Sequence, residues 1–242
     1  MMGRFVTSIQ KDMILQVRNQ MYTISLGLAL LCAALFCFIL KAEYIQTAVP
    51  AAMLLIVGGT TLIFVGGLIL DEKEKGILSA LILSPLSRRE YLWSKIVSLT
   101  FLSTVEVGIM VGVPLLYFHY SQGMALPNLP VLFAGLVVLN LFLTVFGLGL
   151  AVRYRKITDY MVPILVIMVF LQVPILYYSR ILPSPILLAI PSSAPIMIFQ
   201  GAFARLALWQ WIYAVGYNAL LLAVLIPWSA RAYYKHIVSK MR

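Results

Sequence analysis

The chain has 242 residues, of which 62% are hydrophobic and only 11% charged, with a mean hydropathy of +0.99. A soluble domain of this length carries roughly 25% charged residues, so the apolar surplus has to face lipid, and a soluble globular fold is excluded. The net charge of +10 would suggest nucleic acid in a soluble protein. In a chain this apolar it reads as topogenic instead, because basic residues collect in the cytoplasmic loops of membrane proteins, and no nucleic-acid partner is expected.

The first twenty residues, MMGRFVTSIQKDMILQVRNQ, are polar and mixed. No cleavable signal peptide is expected, because the first apolar run is longer than a signal h-region. Val6, Ile9, Met13 and Val17 recur at steps of three and four, with Arg4, Lys11, Asp12 and Arg18 elsewhere. That spacing predicts an amphipathic helix over 3–20 lying along the inner membrane surface. Six apolar runs follow, at about 22–40, 48–70, 96–118, 131–152, 160–178 and 207–228. Each approaches the ~20 residues a helix needs to cross the hydrocarbon core. They are continuous rather than alternating, and lipid requires each span to satisfy its own backbone, so helices are expected and a β-barrel is not. The fold class expected is therefore an all-α integral membrane protein of six spans, a single membrane domain over 1–242.

Fifteen of the 18 Lys and Arg residues fall before the first run, in 71–95, in 153–159 and in the tail, leaving Lys41, Arg180 and Arg205 for the opposite side. That asymmetry places both termini in the cytoplasm. The segment 179–206 is cut by Pro183, Pro185, Pro191 and Pro195 into apolar pieces too short to span. Short re-entrant helices on the outer side are expected there, since irregular backbone at that depth survives only when buried in protein. Cys32 and Cys37 are five residues apart in one apolar run, on different helix faces, and no disulfide or metal site is expected from them.

The charged segment between the second and third runs, DEKEKGILSALILSPLSRREYLWSK (71–95), has the marks of a folded knuckle. Asp71, Glu72 and Glu74 read as the first turn of a helix over 71–83, matching the positive end of its dipole. Ile77, Leu78, Leu81 and Ile82 form an apolar stripe, and Pro85 disfavours helix at Ser84. Ser87-Arg88-Arg89-Glu90 is a capping box, so a second helix should start near Arg88 and run through Lys95 into the third span. A loop that only set topology would need Lys and Arg alone, whereas this one suits docking on a cytoplasmic partner.

The set formed by Glu72, Glu74, Gly76 and Leu78, then Leu83, Ser84, Pro85, Leu86, Ser87 and Glu90, then Lys95, between the second and third of six spans, resembles the ATP-binding-cassette type-2 export permeases. The resemblance covers the whole chain. It implies that Glu72, Glu74, Gly76, Leu78, Leu83, Pro85, Leu86, Ser87 and Glu90 form the element that couples to a separate cytoplasmic ATPase subunit. It also implies an assembly of two membrane subunits, identical or not, with two ATPases. The chain has no GxxxxGK[ST] phosphate-binding loop, so ATP and Mg are expected on the partner and no catalysis on this chain. The cargo implied is hydrophobic or amphipathic (a drug, lipid or peptide) moved out across the plasma membrane.

Within the spans, Glu106 is the one deep acid. A charge there costs several kcal/mol, so such residues face a cavity or a partner. A cargo or proton contact and a helix-packing glutamate are both open, and the first allows a proton-coupled carrier as the alternative function. Thr60 and Thr61, beside a glycine pair in the second run, and Asn140 in the fourth complete the candidate translocation path.

Overall fold

A computed structural model describes residues 2–41, 44–76, 87–179 and 181–238. The described residues are helical, with no strand among them. The N-terminal helix α1 (Met2–Arg18) is followed by α2 (Met21–Ile39), α3 (Ile45–Glu74), α4 (Arg88–Gln122), α5 (Leu129–Ala151) and α6 (Ile157–Gln172). Three short elements come next, α7 (Ile175–Tyr178), a 3-10 turn (Pro185–Ala189) and α8 (Ser193–Gln200), and after them α9 (Leu208–Tyr233), which ends in a π turn (Tyr234–Val238). Among the described residues, five segments are long and apolar enough to cross a membrane: Met21–Ile39, Arg89–Gln122, Leu129–Ala151, Ile157–Tyr178 and Leu208–His236. The run expected at 48–70 lies inside the 30-residue α3.

Of these five segments, α5 is the most enclosed. It packs against α3, α4, α8 and α9, while α2 lies along α4 and α6 along α3. Lipid tails are as apolar as leucine, so close packing and interhelical hydrogen bonds hold such a bundle together. Gly135 shows the first at work: a Cβ there would sit 2.8 Å from the Phe199 Cα and 2.9 Å from its amide nitrogen. The absence of a side chain is what lets the backbone of α8 cross α5. Helix α8 is buried along nearly its whole length. Ser192 Oγ donates to the Leu171 carbonyl at 2.6 Å, Ser193 Oγ to that of Leu187 at 2.8 Å, and the Tyr178 hydroxyl to that of Ser193 at 2.6 Å. Of the chopped apolar segment, Ser193–Gln200 thus folds as a short helix inside protein, whereas the turn at Pro185–Ala189 leaves Ile186 exposed.

One expectation needs refinement and a second correction. The run read as one span over 160–178 lies in a segment long and apolar enough to cross, Ile157–Tyr178, though its helix breaks after Gln172 and resumes for one turn at Ile175. Pro174, which has no N–H to give the preceding turn, follows the break, whereas Pro163 sits inside α6. Second, Asp71, Glu72 and Glu74 are not the first turn of a new helix but the last turn of α3. No stop signal separates Leu70 from Asp71, and the helix instead ends at Lys75, where Gly76 takes φ +68°, a left-handed conformation that glycine adopts without cost. The acids lie at the end the dipole disfavours. That preference is worth only about 0.3–1 kcal/mol, and a buried cation described below outweighs it.

The capping box is present at the start of α4: the Glu90 amide donates to Ser87 Oγ at 3.2 Å and the Ser87 amide to Glu90 Oε2 at 2.8 Å. Ser87→Ala is expected to cost about 1 kcal/mol, seen as faster hydrogen exchange at the amides of 89–91 with the rest of α4 unchanged.

Candidate functional site

The charged segment enters and leaves the bundle through the end of α3 and the start of α4, and a buried polar network ties these two stems to α1. Lys95, 1% exposed, is the hub. Its Nζ lies 2.6 Å from Asp12 Oδ1 of α1 and also pairs with Glu72 Oε1 of α3. The Tyr91 hydroxyl donates to the other Glu72 oxygen. Ser94 Oγ donates to Asp12 Oδ2 at 2.7 Å and accepts from Ser8 at 3.0 Å, and Gln16 Nε2 donates to Ser98 Oγ at 3.0 Å. One ammonium thus serves two carboxylates, and hydroxyls satisfy the remaining oxygens. A buried ion set of this kind is tolerable only with such partners.

Helix α1 meets the bundle through its polar residues. Ser8, Asp12 and Gln16, one turn apart, are buried against α4, whereas Val6, Ile14 and Val17 stay exposed. An exposed apolar face suits a helix lying in the interfacial layer. Beside the network, Lys73 Nζ donates to the carbonyls of Val152 at 2.9 Å and Tyr154 at 2.6 Å. It thereby caps the end of α5 with a cation, as the dipole favours. Lys75 pairs with Asp71 at 2.7 Å on the surface.

Among the residues expected to couple to an ATPase, Glu74, Gly76 and Ser87 are exposed at the mouth of the loop, and Glu90 is half-buried with its carboxylate in the capping box. Glu72 instead points inward to Lys95 and Tyr91. Leu78, Leu83, Pro85 and Leu86 lie outside the described residues. Sequence reasoning missed Asp12. Its signal was the four-residue spacing Ser8–Asp12–Gln16 facing a matching Ser94–Lys95–Ser98 on α4, which resembles an ordinary solvated face.

The second cluster lies within the spans. Glu106 of α4 is 1% exposed, with the hydroxyls of Ser25 on α2 and Thr60 on α3 beside it. Neither of its carboxyl oxygens reaches hydrogen-bond geometry with a partner among the described residues. Thr61 donates to Ser103 at 3.1 Å, and Asn140 to Thr104 at 3.3 Å. The structure therefore groups Glu106 with Thr60, and sets Thr61 and Asn140 separately against α4 as hydrogen bonds between helices. No group of three or more His, Cys, Asp or Glu able to hold a metal occurs among the described residues.

An all-helical bundle with several helices able to cross a membrane, a docked amphipathic N-terminal helix and a charged loop clamped at both stems is that of a polytopic membrane protein. The chain belongs to the fluoroquinolones export permease protein family, whose profile matches residues 3–241. It is 26% identical over 245 residues to the fluoroquinolones export permease proteins of Mycobacterium tuberculosis strains CDC 1551/Oshkosh and ATCC 25618/H37Rv, covering 99% of this chain and 98% of each relative.

Proposed function

We propose that this chain is the membrane permease subunit of an ATP-driven exporter of the ATP-binding-cassette type-2 class. It would have six spans, α3 supplying the sixth, with both termini in the cytoplasm and short re-entrant helices near the outer face. Two membrane subunits assemble with two ATPase subunits, which bind ATP and Mg. The cargo is hydrophobic or amphipathic, and the names of its relatives point to fluoroquinolone-like drugs as the first class to try.

The observation that carries this reading is the Asp12–Lys95–Glu72 network. A loop that merely joined two spans would not need both stems locked to a third helix. A loop that receives a push from a partner does, because the force has to reach α1, α3 and α4 together. Glu74 and Ser87, exposed at the loop mouth, are then available to the ATPase, while Glu72 and Lys95 transmit from within.

A tagged chain extracted from native membranes in mild detergent is expected to carry a nucleotide-binding subunit in equal copy number, and Glu74→Lys is expected to release it while the permease keeps its melting temperature. Drug export from vesicles should stop on ATP depletion and survive collapse of the proton gradient. The buried carboxyl of Glu106 supports one rival, a proton-coupled carrier. That rival predicts the reverse pattern, with export abolished by Glu106→Gln and indifferent to ATP.

A further inference from the structure

At the end of the bundle where α4 begins and α9 finishes, the two helices meet through the rings of Tyr91 and Tyr233, 5.6 Å apart. Beside that contact lies an open groove of about 390 Å³, lined by Arg89, Leu92 and Trp93 of α4 and by Ile226, Ala230 and Tyr234. We propose that this groove is a binding site for an anionic phospholipid, with the phosphate held by Arg89 and an acyl chain lying along Leu92, Ile226 and Ala230.

Polarity changes with depth in the way a lipid does. Ile226, Ala230 and Tyr234 succeed one another at four-residue steps, so the floor runs about 12 Å along the helix axis from an isoleucine to a phenol. On α4, Trp93 and Arg89 make the same climb in one turn. Apolar wall therefore sits deep and polar groups sit at the rim. Trp93, 38% exposed, has the amphipathic ring that settles at headgroup level.

The charge at the rim is also uncommitted. Lys73, Lys75, Lys95 and Arg153 at this end all have partners, Arg153 stacking on Trp228 at 4.5 Å. The exposed Arg89 makes no hydrogen bond or ion pair with another described residue. A guanidinium over an apolar trough complements a phosphodiester on an acyl chain, and a planar donor fork suits phosphate better than an ammonium does. A soluble acidic partner would match the arginine but not the trough. Only the leaflet rests on the orientation proposed above, which makes it the cytoplasmic one, where anionic lipids gather against basic residues.

The test uses the purified full chain and no ATPase, so its failure leaves the export reading untouched. Native mass spectrometry follows retention of phosphatidylglycerol against phosphatidylcholine during titration in a mild detergent. Wild type should prefer phosphatidylglycerol about fivefold, the preference expected of one interfacial arginine. Arg89→Gln should bind both lipids equally, Arg89→Lys should keep part of the preference, and Ala230→Trp, which fills the trough, should weaken both. Equal retention by wild type, or a preference that survives Arg89→Gln, would overturn the proposal. So would competition by glycerol phosphate as strong as that by the lipid, because the site would then recognise a free anion.

Discussion

Lys95→Met should destabilise the chain by about 3–5 kcal/mol, the cost of leaving buried carboxylates without their cation. Asp12 and Glu72 would face each other across an apolar side chain, with only Tyr91 and Ser94 to donate to them. Methionine keeps the unbranched shape of lysine and lacks only its terminal atom, so lost packing contributes little and the charge is what is tested. The decisive comparison is the triple variant Asp12→Asn, Glu72→Gln, Lys95→Met. It removes all three charges and should recover most of the melting temperature in detergent, because a buried ion set is often no more stable than a neutral replacement. If the stems of the loop transmit force through this network, the recovered triple variant will still bind the ATPase but export poorly. A triple variant that exports normally would make the network a matter of stability alone.

Gly135→Ala is the second large effect, with a net loss of about 1–3 kcal/mol from overpacking. Helix propensity favours alanine by about 1 kcal/mol, so the contact has to exceed that gain. It does so because the obstructing atoms are the Phe199 backbone, 2.8 and 2.9 Å from the new Cβ, on a helix enclosed along its length and pinned through Ser192 and Ser193. Such a segment cannot step aside. Gly112→Ala on α4 provides the control: no atom lies within 4 Å of a Cβ there, and the melting temperature should hold or rise. Equal behaviour of the two variants would show that α8 is less firmly seated on α5 than its burial implies.

The parts of this architecture governed by local rules could be read from the residues. Continuous apolar runs located the long helices, although α6 stops six residues short of its run, the Ser87–Glu90 pair marked the start of α4, and the prolines after Tyr178 marked the short helices. Where two local rules competed, the reading failed. Acidic residues after Leu70 suggested a helix start, but the deciding interaction was with Lys95, 23 positions away from Glu72. The candidate intramembrane residues were legible as polar groups in apolar runs, but not as a set. Thr61 and Asn140 turn toward separate partners on α4, and only Thr60 neighbours Glu106. Asp12 was invisible as a site residue because a carboxylate on an amphipathic helix looks solvated until its partner helix is in place. Pairings between distant residues carry no periodicity, so they appear only in three dimensions.

The inverted docking of α1 has a consequence for biogenesis. Asp12 leaves the ribosome 83 residues ahead of the lysine that neutralises it. At synthesis rates of about 5–20 residues per second, that gap lasts roughly 4–17 s. If α1 lies in the interfacial layer, its apolar face has lipid to rest on during this interval, while its polar face still has water. The helix is thus parked at the surface before its receptor exists, and the emergence of α4 seals it from below. Insertion of α4 then becomes the step that closes the N-terminal half of the protein.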